Sequence, residues 1–128
     1  MKIKVSEATN VKLDWLVGTI EHSLGFEYRP RTKKCYAYDK TKLMKVYSPT
    51  TSWAQGGEII GREIGNLWKH NKLDPSEFDV WTAAAYHKAP DGTLLYYEEG
   101  PTPLVAAMRC YVASRLGDEV EIPEELAC

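Results

Sequence analysis

The sequence predicts an α+β fold: a layered α-β-α sandwich with a mostly antiparallel sheet and about three helices. Three observations carry that prediction. Residues 100–117, GPTPLVAAMRCYVASRLG, read as one helix with a start, a face and a stop. Residues 35–47 and 78–98 alternate apolar and polar side chains about short polar turns, as hairpins do. Two earlier segments repeat apolar residues at the helical period. Helices that must each bury a stripe, interleaved with antiparallel strands, form layers around one core.

Residues 2–5 open as a short edge strand in which Ile3 and Val5 alternate with lysines. A first helix follows, from Ser6 or Thr9 to Ser23, with Leu13, Leu16, Val17, Ile20 and Leu24 on its stripe and Gly25 at its end. Trp15 lies off that stripe and either covers the helix edge, the preferred reading, or makes a second contact surface. Residues 26–34 are expected to be irregular, because Pro30 forbids a helix and basic residues crowd together. A hairpin at 35–47 turns about Asp39, Lys40 and Thr41. In residues 48–64, Thr50, Thr51 or Ser52 caps a second helix whose stripe is Trp53, Gly57, Ile60 and Ile64. The period then changes to two. A short strand at 67–69, a turn at 71–77 around Pro75, a strand at 78–88, a tight turn at 90–92 and a returning strand at 93–98 follow.

In the last helix Thr102 is the cap and Pro103 the first helical residue, where a missing N–H costs nothing. Leu104, Met108, Val112 and Leu116 recur every four residues, Val105 and Tyr111 widen the stripe, and Gly117 ends it. Ala106, Ala107, Cys110, Ala113 and Ser114 keep the rest small, so this helix is expected to lie close against a sheet. Residues 118–128 read as an acidic tail to a single domain spanning 1–128.

Composition excludes more than it selects. An apolar fraction of 44%, a charged fraction of 27% and a net charge of −2 are ordinary for a soluble domain and do not advertise nucleic acid or a membrane. No apolar run approaches the roughly 20 residues that cross a bilayer. The opening MKIKVSEAT has no apolar signal core, so a cytoplasmic location is expected. Cys35, Cys110 and Cys128 are an odd count without a CxxC pair, which argues for reduced thiols and against disulfides or zinc. His22, His70 and His87 show no ligand spacing, so no metal and no cofactor are expected.

No catalytic constellation and no phosphate-loop pattern is present, so the chain is not expected to be an enzyme. Three weaker signals remain. Gly56, Gly57 and Gly61 stand inside the second helix, each costing about 1 kcal/mol against alanine. Either another backbone packs on them or a ligand approaches there. Ser52, Trp53, Gln55, Gly56, Gly57 and Arg62 are the candidate ligand-binding residues on this helix. Its start offers unpaired N–H groups to an anion, and Arg62 could neutralise a phosphate if it turned toward the glycines. The plainer reading pairs Glu58 with Arg62, four residues apart. Secondly, residues 27–45 carry seven basic side chains against two acidic ones, interleaved with tyrosines, which suits a nucleotide or single strand as well as a solvated hairpin. Thirdly, Thr102 and Arg109 mark the start of the last helix as an anion candidate, weakened by Pro101 and Pro103.

The stretches SPTTSWAQGGEIIGREI and GPTPLVAAMRCYVASRLGDEVEIPEEL, with the opening KIKVSEAT, resemble the NinX-like family of small proteins encoded by lambdoid and other tailed phages. Ser52 stands where that family usually has an acidic residue, and Glu58 where it tends to have proline. The resemblance implies a setting more than an activity: a phage-encoded accessory protein in the bacterial cytoplasm. The layout also resembles small phage domains built as α-β-α sandwiches.

The expected function is a non-enzymatic binding protein that sequesters a small anionic ligand, a nucleotide signal of host defence being the most concrete candidate. The alternatives are a protein-interaction module acting on a host enzyme through Trp15 and the acidic tail, and a nucleic-acid accessory factor, which the net charge disfavours. A homo-oligomer, a dimer in particular, is expected from the excess of surface elements, among them four tryptophans and eight tyrosines.

Overall fold

The computed structural model describes residues 1–22, 25–38, 41–70, 80–89 and 92–127, except for the side chains of 86–89, 92–94 and 127. The elements are β1 (Lys2–Lys4), a 3-10 turn (Val5–Glu7), α1 (Asn10–Glu21), β2 (Phe26–Arg29), β3 (Lys34–Tyr38), β4 (Met44–Val46), α2 (Trp53–Glu63), β5 (Asn66–Lys69), β6 (Trp81–Ala89), β7 (Gly92–Gly100), α3 (Pro103–Leu116), β8 (Glu119–Glu121) and α4 (Glu124–Ala127). The class is α+β, and each described strand pairing is antiparallel. The strands fall into three sheets, β1–β8, β2–β3–β4 and β5–β6–β7, where the sequence suggests one.

Helix α3 is the centre of the molecule. Thr102 Oγ1 accepts from Val105 N at 3.1 Å, Pro103 occupies the first turn, and Gly117 ends the helix at φ 91°. Its small side is the one that meets a sheet. Cys110 Sγ donates to Tyr96 O of β7 at 3.3 Å, and a Cβ on Gly100 would lie 2.7 Å from Ala106 N. Its bulkier side meets the other helices, with Leu104 against Gly56 of α2 and the Tyr111 hydroxyl donating to Glu21 of α1 at 2.5 Å. The layers therefore run β5–β6–β7, α3, the pair α1 and α2, and β2–β3–β4 against α1. Leu116, the last residue of the expected stripe, is exposed.

Two expectations are corrected. Residues 26–29 form a strand, in register with β3 from Phe26↔Ala37 to Arg29↔Lys34. Pro30 forbids a helix but is harmless in the turn that follows this strand. The acidic tail is also built into the fold. Glu119–Glu121 pairs with β1 in the register Ile3↔Val120, and Val120, Ile122 and Leu126 are buried. Its carboxylates point outward between apolar residues, a period-two pattern that the dense charge conceals. Trp15 packs on the core from the edge of α1. The expected turns at 71–77 and 90–91 lie outside the described residues.

Candidate functional site

Two clefts among the described residues concern the candidate residues. The first, about 630 Å³, lies between the C-terminal end of α1, strands β3 and β4, and one flank of α2. Glu21, His22, Tyr38, Lys45, Tyr47, Gln55 and Glu58 line it. His22, Phe26 and Tyr47 form an aromatic wall, with His22 edge-on to Tyr47 at 4.8 Å and Phe26 edge-on to Tyr47 at 5.9 Å. Tyr38 stands at the mouth, 53% exposed. Tyr47 is buried, and that burial, with the charges of Glu21 and Asp14, holds its phenol above the ordinary range.

The walls of the cleft are cross-tied by hydrogen bonds. Gln55 bridges α2 to β4 and the loop after it, accepting from Ser48 N at 2.7 Å and donating to Val46 O at 3.0 Å. Ser52 caps α2, accepting from Gln55 N at 3.4 Å. Arg62 Nη2 donates to both carboxylate oxygens of Glu21 at 2.7 Å, and its Nε donates to Glu63 at 2.9 Å. Arg115 donates to Glu63 at 2.8 Å, so one polar network joins α1, α2 and α3. Burial pulls the Glu21 pKa up, but the bonds from Arg62 and Tyr111 outweigh it and leave the carboxyl below its usual range.

Beneath the loop that launches α2 lies a group the residue pattern alone did not single out. Asp14 is buried and accepts from Thr50 N at 2.9 Å. Burial pushes its pKa up to about 6, against the pull of Thr50. The Thr50 hydroxyl misses hydrogen-bond geometry with any described residue, although it favours the charged carboxyl from nearby. The available signal was positional: Asp14 adjoins Leu13 and lies three residues before Val17 on the buried side of α1.

The glycine helix presents three different environments. A Cβ at Gly56 would run into Pro49 O and lie 2.6 Å from Leu104 Cδ2, so close packing accounts for this glycine. At Gly57 a Cβ would meet only Trp53 Cε3 at 3.6 Å, and at Gly61 nothing within 4 Å. Trp53, 57% exposed, lies over Gly57 on the flank of α2 opposite Arg62. Trp53 and Gly57 are therefore neighbours, but Arg62 is turned away to Glu21 and Glu63. Of the candidates on α2, Gln55 lines the first cleft. Tyr38 and Tyr47, two of the tyrosines interleaved with the basic hairpin, line it too, and His22 joins them through tertiary contacts alone. On the hairpin, Arg29 covers the Tyr36 ring, with Cζ 4.1 Å from its centroid.

The second cleft, about 660 Å³, lies at the joint between β7 and α3 and contains Arg109, with Gly100 and Pro101 beside the capping Thr102. Among the described residues no group of three or more His, Cys, Asp or Glu is placed to hold a metal, and no helix is long and apolar enough to cross a membrane.

Residues 4–115 match the family described as Bacteriophage P22, NinX. No curated protein matches the chain.

Proposed function

The chain belongs to the bacteriophage P22 NinX family, and we propose that it is a non-enzymatic phage accessory protein that binds and sequesters a small, base-bearing anionic ligand in the host cytoplasm. The observation that carries this reading is the first cleft, an aromatic-walled space of about 630 Å³. That size suits a nucleotide-like molecule. Tyr38 offers a face for a base, Glu58 offers an acceptor for its amino groups, and Lys45 supplies positive charge beside the basic hairpin. The two described cysteines support binding over chemistry. Burial pushes both thiols up to about 12, far from a reactive thiolate.

Calorimetry with cyclic and ADP-ribose-type nucleotides tests the reading. At least one should bind, Tyr38→Ala should weaken it about tenfold, the loss of one stacking contact, and Gly57→Val on the opposite flank should leave it unchanged. If no nucleotide binds, or if Gly57→Val abolishes binding while Tyr38→Ala does not, this cleft is not the site.

A second reading has its own observation. Trp68 and Tyr97 meet edge-on at 6.4 Å on the face of β5–β6–β7 away from α3, with Leu95 also exposed. Such a face favours a protein partner, a host enzyme or a second copy. Light scattering on the wild type and Tyr97→Ser would separate a dimer from a monomer.

A further inference from the structure

Arg109 is 8% exposed, yet among the described residues no carboxylate forms an ion pair with it. Its Nε donates to Ala8 O at 2.9 Å and its Nη1 to Glu99 O at 2.8 Å, so both partners are backbone carbonyls. A guanidinium has five N–H donors, and these bonds use two of them. No described residue accepts from Nη2. Arg109 lines the second cleft with Ser6, Thr82, Tyr97, Glu98 and Glu99. Burial lowers the Arg109 pKa, with Glu98 opposing. Burial raises that of Glu98, helped by Asp118 and Glu99 and opposed by Arg109.

A largely buried guanidinium with donors to spare is a strong partner for a carboxylate, which it can hold through two parallel bonds. The two glutamates make the same cleft hostile to a bare anion, since a negative ligand would face like charges. A ligand that satisfies both ends must carry a carboxylate and an ammonium together. We infer that the second cleft is a binding site for a free α-amino acid, its carboxylate on Arg109 and its ammonium toward Glu98, the glutamate on the α3 side of β7. The exposed Tyr97 ring and Pro101 then form the wall that meets the amino acid's side chain. This site is separate from the nucleotide reading of the first cleft and does not depend on it.

The test is an NMR titration of the full chain with the common L-amino acids up to millimolar concentration. The best binder is then compared with its des-amino acid and its des-carboxy amine. The amino acid should shift Ser6, Tyr97 and Gly100, and each truncated analogue should bind at least about tenfold more weakly, as expected when a charged contact is lost. Arg109→Gln should abolish binding. Because Arg109 also ties Ala8 to β7, that variant could misfold, so Glu98→Gln serves as the independent arm. It should weaken the amino acid and leave the des-amino acid bound as before or more tightly. The inference is overturned if no amino acid shifts these residues, if the des-amino acid binds as tightly as its parent, or if the shifts appear only around Tyr38 and Gln55.

Discussion

Helix α3 buries ten consecutive residues, 104–113, whereas α2 buries Gly56 and Ile59. Both begin with a hydroxyl cap and both carry small residues inside, so in sequence they look like two versions of one device. Position in the layers separates them. α3 has a sheet on one side and two helices on the other, and every side chain in its middle meets protein. α2 touches α3 along one edge and is held elsewhere by polar ties: Gln55 to Ser48 and Val46, and Arg62 to Glu21. The core contribution of α3 is collective, while α2 is a platform that the fold holds in place without enclosing. A ligand cleft can lie along such a platform because one of its flanks is still open.

The strongest way to break this contrast is Met108→Asp. Met108 is fully buried, and an unpaired carboxylate there should destabilise the protein by at least about 4 kcal/mol. Chemical denaturation should find the variant largely unfolded. A normally melting variant would show that the middle of α3 is not core.

The attachment of α2 should depend on pH through Asp14. Its raised pKa means that the folded state keeps the proton to higher pH than the unfolded chain does. The stability contributed by the neutral carboxyl is full below the ordinary value of 3.8 and is lost as pH rises through about 6. The loss is about 3 kcal/mol, since each pH unit between those two values is worth about 1.36 kcal/mol. Asp14→Asn keeps an oxygen to accept from Thr50 N and removes the charge. Denaturation between pH 4 and pH 8 should show stability falling in the wild type and a flatter profile in the variant. Equal slopes would mean that Asp14 is solvated.

Gly56→Ala sharpens the comparison from the side of α2. Its new Cβ would meet backbone at Pro49 as well as Leu104. An overpacked contact of this kind costs about 1–3 kcal/mol, outweighing the helix propensity gained. An unchanged or raised melting temperature would mean that the loop at 48–51 yields easily. This glycine also marks how far sequence alone reaches. The caps, both helices and the pairing of β6 with β7 were legible, because each depends on local chemistry or on a period. Gly56, Gly57 and Gly61 were not separable, because what distinguishes them is Pro49, Trp53 and open solvent, set by tertiary packing. The same limit hid the first cleft. Tyr38, Tyr47 and His22 come from three segments, and only the packing of α1 on β2 and β3 brings them to α2. Arg109 was legible as a candidate but not as a buried cation, because its burial depends on Ala8 and β7 closing over it.

The smallest expected effect is at Gly61, where the contrast between the helices is most exposed to test. Apart from its chain neighbours and the backbone of its own helix, nothing lies within 4 Å of where its Cβ would be, and its backbone is in the last turn of α2 before Ile64. Alanine there adds no contact in the monomer. It removes the conformational freedom that glycine gives the unfolded chain, so the helix should gain up to about 1 kcal/mol. Thermal melting should rise by a few degrees, with ligand binding in the first cleft unchanged, because Gly61 is not among the residues lining it. A fall in stability that depends on protein concentration would have one ready physical cause: another chain lies against this strip in solution, and the added methyl meets it. In that event α2 would be enclosed in a dimer, and its glycines would be packing residues throughout.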